Sequence, residues 1–542
     1  MNNAGNNLLD RLEKLNAIGV ALSAEKDTTR ILEAILEAAK SLTNADGGTL
    51  YRVTEDNRLK FEILRNDTLN IAMGGATGVA IPFDPLLLYD AEGNPNNSMV
   101  VAYSVLHDTT INIEDAYAAD GFDFSGTRNF DHKTGYRSKS FLTVPMKNHE
   151  SEIIGVLQLI NAKQLDTGEI IPFSHADQRL TESLASQAAI ALTNRILINQ
   201  LEALFESFIK LINTAIDEKS PYTGKHCERV PIITMLLAEA ASATTEGPLK
   251  DFHMSDKDRY ELKIAGLLHD CGKVTTPVHV VDKGTKLQTL FDRIHLVDTR
   301  FEVLRRDAEI ELLRAKIRCM EQENREPFDS LEYTYQQRAS QLDDDREFLR
   351  RCNIGGEFMS AENQQRVEAI ARLTWVNETG ETAFFLSDDE AKNLKIDKGT
   401  LTDEERQIIN YHIVATIKML ETLPWPKHLK RVTEYAGGHH ERMDGKGYPK
   451  GLVREQMSTQ ARTVAIADIF EALTARDRPY KHGKTLTESL RILGLMKLDH
   501  HVDPDLFDVF IREKVYLKYA RQYLEPEQID EVDVTKIPGF TA

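Results

Sequence analysis

Cysteine is scarce: Cys227, Cys271, Cys319 and Cys352 are the only four in 542 residues, and no two form a CxxC pair. That spacing excludes a disulfide scaffold and a thiolate zinc site, and it fits a reducing compartment. Long apolar runs are missing too, since no stretch approaches the roughly 18 uninterrupted apolar residues of a membrane span. The N-terminus MNNAGNNLLDRLEKLN breaks its apolar positions with charge, unlike a signal peptide. A soluble, cytoplasmic chain is expected. Positive charge is the third deficit: 66 Lys and Arg stand against 85 Asp and Glu, a net −19. Such a surface repels polyphosphate, which argues against a nucleic-acid coat protein or an anionic-membrane binder. Apolar material is ample, at 41% hydrophobic with 28% charged residues, so the chain is globular and not disordered. At about 100–200 residues per domain the length allows three or four domains, and the patterns below reduce these to two.

Residues 1–175 read as mixed α/β. Ile31, Ile35, Ala38 and Leu42 recur at helical spacing, and a turn at Asn44–Gly48 then releases the strand GTLYRV. SFLTVPM (140–146) and IIGVLQLIN (153–161) flank a polar turn as a hairpin. The stretch from about 85 to 138 suits loops and short helices around a pocket. Residues 176–219 contain no Gly or Pro. They place Leu184, Ala191, Ile198, Phe205 and Ile212 at one heptad position and Leu201 and Phe208 at the other. This predicts a long connecting helix with a dimerisation seam, hence a homodimer. Gln187 and Asn194 fall on the first half of that seam, and the alternative is an amphipathic helix packed on its own domain. Residues 220–542 are mostly helical in pattern. Within them 296–396 is charged and helix-favouring with a break at Pro327-Phe328, an inserted helical hairpin needing no core of its own. The tetrapeptide DKGT at 282–285 and again at 397–400 marks its edges.

Histidine and aspartate carry the chemistry. IAGLLHDCGK ends an apolar helix on His269-Asp270, and another helical run ends on His439-His440-Glu441. Asp468 lies inside RTVAIADIFEALTA, where a carboxylate is costly to bury without a cation or a donor. With His226 and His412 these give five imidazoles and two carboxylates, more than one tetrahedral ion needs and suited to two adjacent octahedral ions. A carboxylate directly after a ligand histidine can bridge two ions, a role open to Asp270. Such a centre favours hydrolysis of a phosphate ester, with Lys273 one turn beyond Asp270 as the cation for developing charge.

HDCGK (269–273), HHERMDGKGYP (439–449) and ADIFEALTARDRPYK (467–481) resemble the HD-GYP subfamily of HD-domain phosphohydrolases, with Gly447-Tyr448-Pro449 intact. AIDEKSPYTGKHCERV (215–230) is similar to the subfamily's opening helix and places His226. The resemblance runs from about Asp217 to about Asp530, outside the insertion. It implies an all-α fold, two or three divalent ions, usually iron with manganese as the other choice, and hydrolysis of cyclic di-GMP to pGpG or GMP. It implies metal ligation by His226, His269, Asp270, His412, His439, His440 and Asp468, with Asp270 bridging. It also implies Lys273 on the scissile phosphate, Tyr448 near a guanine, and Arg478 and Lys481 on phosphate oxygens. ALTARDRPY carries one residue more than the subfamily pattern, so the last two are placed to within one position. Some relatives hold a third ion with a carboxylate one turn before His226; Tyr222 stands there, which implies two ions. The insertion leaves His295 and His412 as rivals for one ligand position. His412 is chosen because a short, uninterrupted helix-turn-helix joins it to the HHE motif.

FDHKTGYRSKSFLTVPM (130–146), IIGVLQLINAK (153–163) and FSHAD (173–177) resemble a GAF domain of the kind found beside cyclic nucleotide enzymes. Asn161, Phe173 and Asp177 match its ligand signature, whereas Ala162 and Gln178 depart from it, and the same residues also read as an internal hydrogen-bond and packing lock. The expected fold is therefore α+β and multidomain. It comprises a GAF-like sensor at 1–175, a connecting helix at 176–219 and an all-α HD-GYP domain at 220–542 with its insertion at 296–396. The expected function is a metal-dependent cyclic di-GMP phosphodiesterase governed by an unknown small-molecule effector at the GAF domain. The alternatives are a catalytically weak cyclic di-GMP receptor that signals through protein partners, and a hydrolase of another cyclic dinucleotide.

Overall fold

The computed structural model describes residues 2–219, 225–321, 328–355, 358–377, 379–476 and 483–541, and the chain separates into two units, Met1–Glu206 and Ser207–Ala542. In the first unit α1 (Asn2–Ala24) leads into α2 (Thr28–Thr43). Asp27 starts α2 by accepting from the Thr29 and Arg30 amides at 2.7 and 3.3 Å, and Asn44 ends it in the left-handed region at φ 53°. There follow β1 (Ala45–Val53), β2 (Arg58–Asn66), β3 (Ile71–Gly74), β4 (Leu86–Leu87), α3 (Val100–Leu106), β5 (Ile111–Ile113), α4 (Ser125–Thr134), β6 (Phe141–Lys147), β7 (Ile153–Lys163) and β8 (Ile170–Ile171). The strands form one sheet in the order β3-β2-β1-β7-β6-β5, with β4 on β2 and β8 on β7. The chain turns at Asn44 alone, and the expected turn through Gly48 is instead the start of β1. Gly48 faces α2 so closely that a Cβ would stand 2.8 Å from Leu36 Cδ1. Alternation along β1 sends Leu50 to the face covered by α2 and Tyr51 to the face covered by α3.

The helix α5 (His175–Lys219) runs across the division between the units. Its first half is spent on the GAF-like core, where Leu184, Ala185, Ala188, Ala189 and Leu192 are buried and Ala191 is packed. Two members of the expected seam, Leu184 and Ala191, therefore face their own domain. Beyond them Leu197, Ile198, Leu201, Leu204, Phe208 and Leu211 are exposed, and in the last turns Ile209, Asn213 and Ile216 are buried again.

The second unit runs through α6 (His226–Ser242), α7 (Asp256–Leu268), a 3-10 turn over Cys271–Thr275 and α8 (Val278–Val281). The insertion follows as α9 (Ile294–Glu321), α10 (Phe328–Asn353), α11 (Ala361–Ala371), the two-stranded β9 (Thr374–Val376) and β10 (Thr382–Phe384), and α12 (Asp388–Leu394). The chain then returns through α13 (Asp403–Glu421), α14 (Val432–Gly437), α15 (Thr459–Thr474), α16 (Leu486–Leu498), α17 (Pro504–Arg512) and α18 (Val515–Tyr523).

The insertion is more than a bare hairpin. Leu287, Val297, Phe301, Leu349, Val367, Phe385 and Leu394 belong to a separate buried cluster, so the segment has the core that the charged helices alone did not announce. Arg300 grips Glu390 through two bonds of 2.8 Å, and Phe301 meets Phe385 at 4.5 Å. The two DKGT segments adjoin, since Thr400 Oγ1 donates to Lys283 O at 2.9 Å. Lys283 is buried and donates to Asn393 Oδ1 at 2.8 Å and to both Glu405 oxygens at 2.8 and 2.7 Å. Glu405 is half of the capping box that starts α13: the Thr402 amide donates to it, and its own amide donates to Thr402 Oγ1. Among the described residues, no helix is long and apolar enough to cross a membrane.

Candidate metal centre

Asp270 lies between two groups of imidazoles. Its Oδ1 is 3.2 Å from His412 Nε2 and 3.9 Å from His439 Nε2. Its Oδ2 is 3.2 Å from both His226 Nε2 and His269 Nε2 and accepts from Lys273 Nζ at 2.5 Å. Asp468 Oδ1 is 3.2 Å from His226 Nε2 and 3.8 Å from His269 Nε2. His440 Nε2 stands 3.2 Å from His412 Nε2. Two groups that could each hold an ion result, His226, His269, Asp270 and Asp468 in one and His412, His439 and His440 in the other, each with its potential donor atoms within 4.8 Å of one another.

The donor atoms are prepared for a cation. His226 Nε2, His269 Nε2, His439 Nε2 and Asp270 Oδ1 are buried and hydrogen-bonded to nothing among the described residues. Buried polar atoms are nearly always partnered, so three unpartnered imidazole nitrogens converging on a carboxylate whose own Oδ1 is unpartnered fit a divalent ion held by nitrogen and oxygen. His269, His412 and His439 each donate Nδ1–H to the carbonyl three residues earlier, at Gly266 (2.7 Å), Ile409 (2.5 Å) and Ala436 (2.6 Å). That bond fixes the tautomer and leaves the Nε2 lone pair facing inward. Burial, reinforced by His440 and His269, puts His439 well below the usual imidazole range, and burial takes His440 down to about 4. Both are neutral at pH 7, the form that ligates. Burial opposes ionisation of Asp270 and Asp468, yet Lys273 and His269 beside the first and His226 beside the second hold both carboxyls far below their ordinary values.

Backbone approach explains the glycines. A Cβ on Gly272 would fall 2.0 Å from His412 O, and the Gly272 amide donates to Thr416 Oγ1 at 2.9 Å, so this turn lies directly against α13. A Cβ on Gly447 would stand 2.5 Å from Glu441 Cα. Glu441, itself buried, accepts from the Lys450 and Leu452 amides at 2.8 and 2.9 Å and so pins the loop that carries Tyr448. The Tyr448 ring stacks on His440 with centroids 4.8 Å apart and planes at 21°. At the end of α5, Lys219 Nζ donates to the carbonyls of Lys273, at 3.4 Å, and Val274.

The structure thus brings together His226, His269, Asp270, His412, His439, His440 and Asp468, with Lys273 and Tyr448 beside them. His295 stays apart, exposed near the start of α9. Tyr222, Arg478 and Lys481 lie outside the described residues. The GAF candidates Asn161, Phe173 and Asp177 are all engaged inside their own domain, as in the packing-lock alternative. Asn161 is fully buried, its Oδ1 accepting from the Lys139 and Ser140 amides and its Nδ2 donating to Tyr136 Oη and Arg137 O, which uses its capacity inside the domain. Phe173 belongs to the core, and Asp177 accepts from the Ser174 amide and hydroxyl and from Arg11. Sequence reasoning missed Glu471, which is buried and bonded to His226 Nδ1 at 2.5 Å and to Arg229 Nε at 2.6 Å. The signal was present, because Glu471 is an acid in the same apolar helix whose acid Asp468 asked for a partner.

Residues 27–192 match the GAF domain family, and residues 223–348 and 388–506 each match an HD domain family. The chain combines a GAF domain with an HD domain. Among curated proteins it is 38% identical over 114 residues to the cyclic di-GMP phosphodiesterase PA4108 of Pseudomonas aeruginosa, covering 21% of this chain and 26% of that one. It is 43% identical over 81 residues to the 3'3'-cGAMP-specific phosphodiesterase 1 of Vibrio cholerae, covering 15% and 19%. It is 29% identical over 181 residues to a cyclic di-GMP phosphodiesterase of Thermotoga maritima, covering 31% and 48%. In each case the match spans less than half of the relative's length. A solved GAF domain/HD domain protein from Geobacter sulfurreducens aligns over 32% of this chain and 98% of its own, with 14% identity and a TM-score of 0.23.

Proposed function

We propose that the chain is a cytoplasmic, metal-dependent phosphodiesterase of HD-GYP type that hydrolyses cyclic di-GMP, acts as a homodimer and is governed by a small molecule at its GAF domain. The carrying observation is the convergence of three unpartnered, buried imidazole nitrogens on Asp270, whose own Oδ1 is also unpartnered. His226, His269, Asp270 and Asp468 would hold one ion and His412, His439 and His440 the other, with Asp270 shared. The mixed nitrogen and oxygen donors suit iron or manganese. Two such ions, when bound, polarise the phosphodiester and supply the nucleophile at neutral pH. Lys273 is placed to shift from Asp270 to the scissile phosphate as negative charge grows there. Tyr448, backed by the His440 ring, offers a flat face to a purine, and Arg478 and Lys481 are assigned to phosphate oxygens. The relatives named as cyclic di-GMP phosphodiesterases support this substrate. Those named as 3'3'-cGAMP-specific support a second reading, the mixed guanine-adenine dinucleotide.

The test is to incubate iron-loaded and manganese-loaded protein with cyclic di-GMP and 3'3'-cGAMP side by side and separate the products. Linear dinucleotide or mononucleotide from cyclic di-GMP is expected, and the D270A variant should lose both turnover and metal. A wild type that carries two ions and cleaves neither compound refutes the enzyme and leaves the receptor. Faster cleavage of 3'3'-cGAMP transfers the assignment to that dinucleotide.

A further inference from the structure

His226 is anchored unlike the other three imidazoles whose Nδ1 partners are defined. Those three use the carbonyl three residues back in the chain. His226 opens α6 and has no preceding turn of its own helix to supply such a carbonyl. Its Nδ1 instead meets Glu471 Oε2 at 2.5 Å, while its Nε2 stands 3.2 Å from Asp468 Oδ1. Asp468 and Glu471 are three residues apart on α15 and so share one face of that helix. One helix thus brackets the imidazole with a carboxylate at each nitrogen. Glu471 is no ligand itself, because its other oxygen accepts from Arg229 Nε at 2.6 Å. Arg229, three residues after His226 on α6, closes a ring of α6 to α15 contacts around the histidine.

We infer that Glu471 is a positioning residue for metal loading: it fixes the Nδ1–H tautomer of His226, orients Nε2 toward Asp270 and Asp468, and makes this imidazole the most strongly donating of the set. A carboxylate is a stronger acceptor than a carbonyl, and losing such a partner typically weakens metal affinity about 10–100-fold. This rests on the two-ion reading above. Glutamine at 471 can still accept from Nδ1–H and keep the ring in place without the charge, whereas leucine of similar bulk cannot. The experiment is cobalt(II) titration of the full chain, metal-stripped, followed by its visible absorption, for wild type, Glu471→Gln and Glu471→Leu, with circular dichroism as the check on folding. In Glu471→Leu one of two binding phases should weaken by about 100-fold with an altered cobalt spectrum, and Glu471→Gln should restore the spectrum with a loss nearer 10-fold. Folded variants that bind two ions within twofold of wild type overturn the inference alone. A wild type that binds no metal overturns the two-ion reading and this inference with it. Should Glu471→Leu fail to fold, the isosteric Gln variant decides.

Discussion

His226 differs from His439 in charge as well as in anchorage. Burial works against its protonation, but Glu471, Asp270 and Asp468 around it raise its pKa well above the ordinary imidazole value. In the metal-free protein it therefore keeps its proton at neutral pH, and a ligand must give it up. Loading should release a proton, so affinity should rise from about pH 6 to 8. Metal competition titrations across that range test the sign, and an affinity that is flat or falls with pH refutes it. At this scale the cluster was legible in the sequence because metal binding asks for particular atoms: His269, Asp270, His439, His440 and Asp468, which the fold brings together, could be named as candidates from residue type and helical context. Glu471 and Thr416 were not, because their roles come from packing α15 on α6 and the 3-10 turn on α13, contacts between segments far apart in sequence. Asn161 looks like a ligand residue in one dimension, and its four partners are visible only in three.

Helix α5 shows how far periodicity alone carries. Its length was readable from the absence of Gly and Pro, but a heptad stripe does not say which neighbour it meets. The structure divides the expected stripe, with Leu184 and Ala191 on the GAF-like core and Ile198, Leu201, Phe208 and Ile212 exposed, and beside them Leu197, Leu204 and Leu211 are exposed as well, so that Leu197, Leu201, Leu204, Phe208 and Leu211 follow one another at spacings of four, three, four and three. A second copy of the same stripe would bury them. If the proposed homodimer pairs through this stripe, changing Leu201 and Phe208 together to Glu should give a monomer in sedimentation, while core residues of α5 such as Leu184 remain untouched and the fold persists. A dimer that survives the double change removes α5 as its interface. The end of the same helix holds the carbonyls of Lys273 and Val274 through Lys219, so the turn that presents Lys273 is tied to the last residue of α5.

For the whole molecule, the length that suggested extra domains is partly accounted for by the insertion, whose core was not legible because it draws on Leu287, Phe385 and Leu394 as well as on the charged helices. Since its two ends meet at Thr400 and Lys283, the segment should be removable. A chain in which residues 288–395 are replaced by a short Gly-Ser bridge should keep helical circular dichroism in proportion and still bind two ions. Loss of metal on excision would show that the insertion also shapes the centre, through Lys283 and Glu405 at the start of α13.

The separate core of the insertion also sets an order of events during synthesis. Roughly 130 residues lie between the turn that bears Asp270 and the start of α13, which a ribosome adds in about 6–25 s at ~5–20 residues per second. Through that interval the nascent chain has His226, His269 and Asp270 but not His412, His439, His440 or Asp468. The insertion's buried cluster, which runs from Leu287 to Leu394, is complete once Leu394 is made, and its closure sets Lys283 beside Thr400 just ahead of α13. Seen in time, the inserted module closes the loop that the metal centre needs before its second half exists.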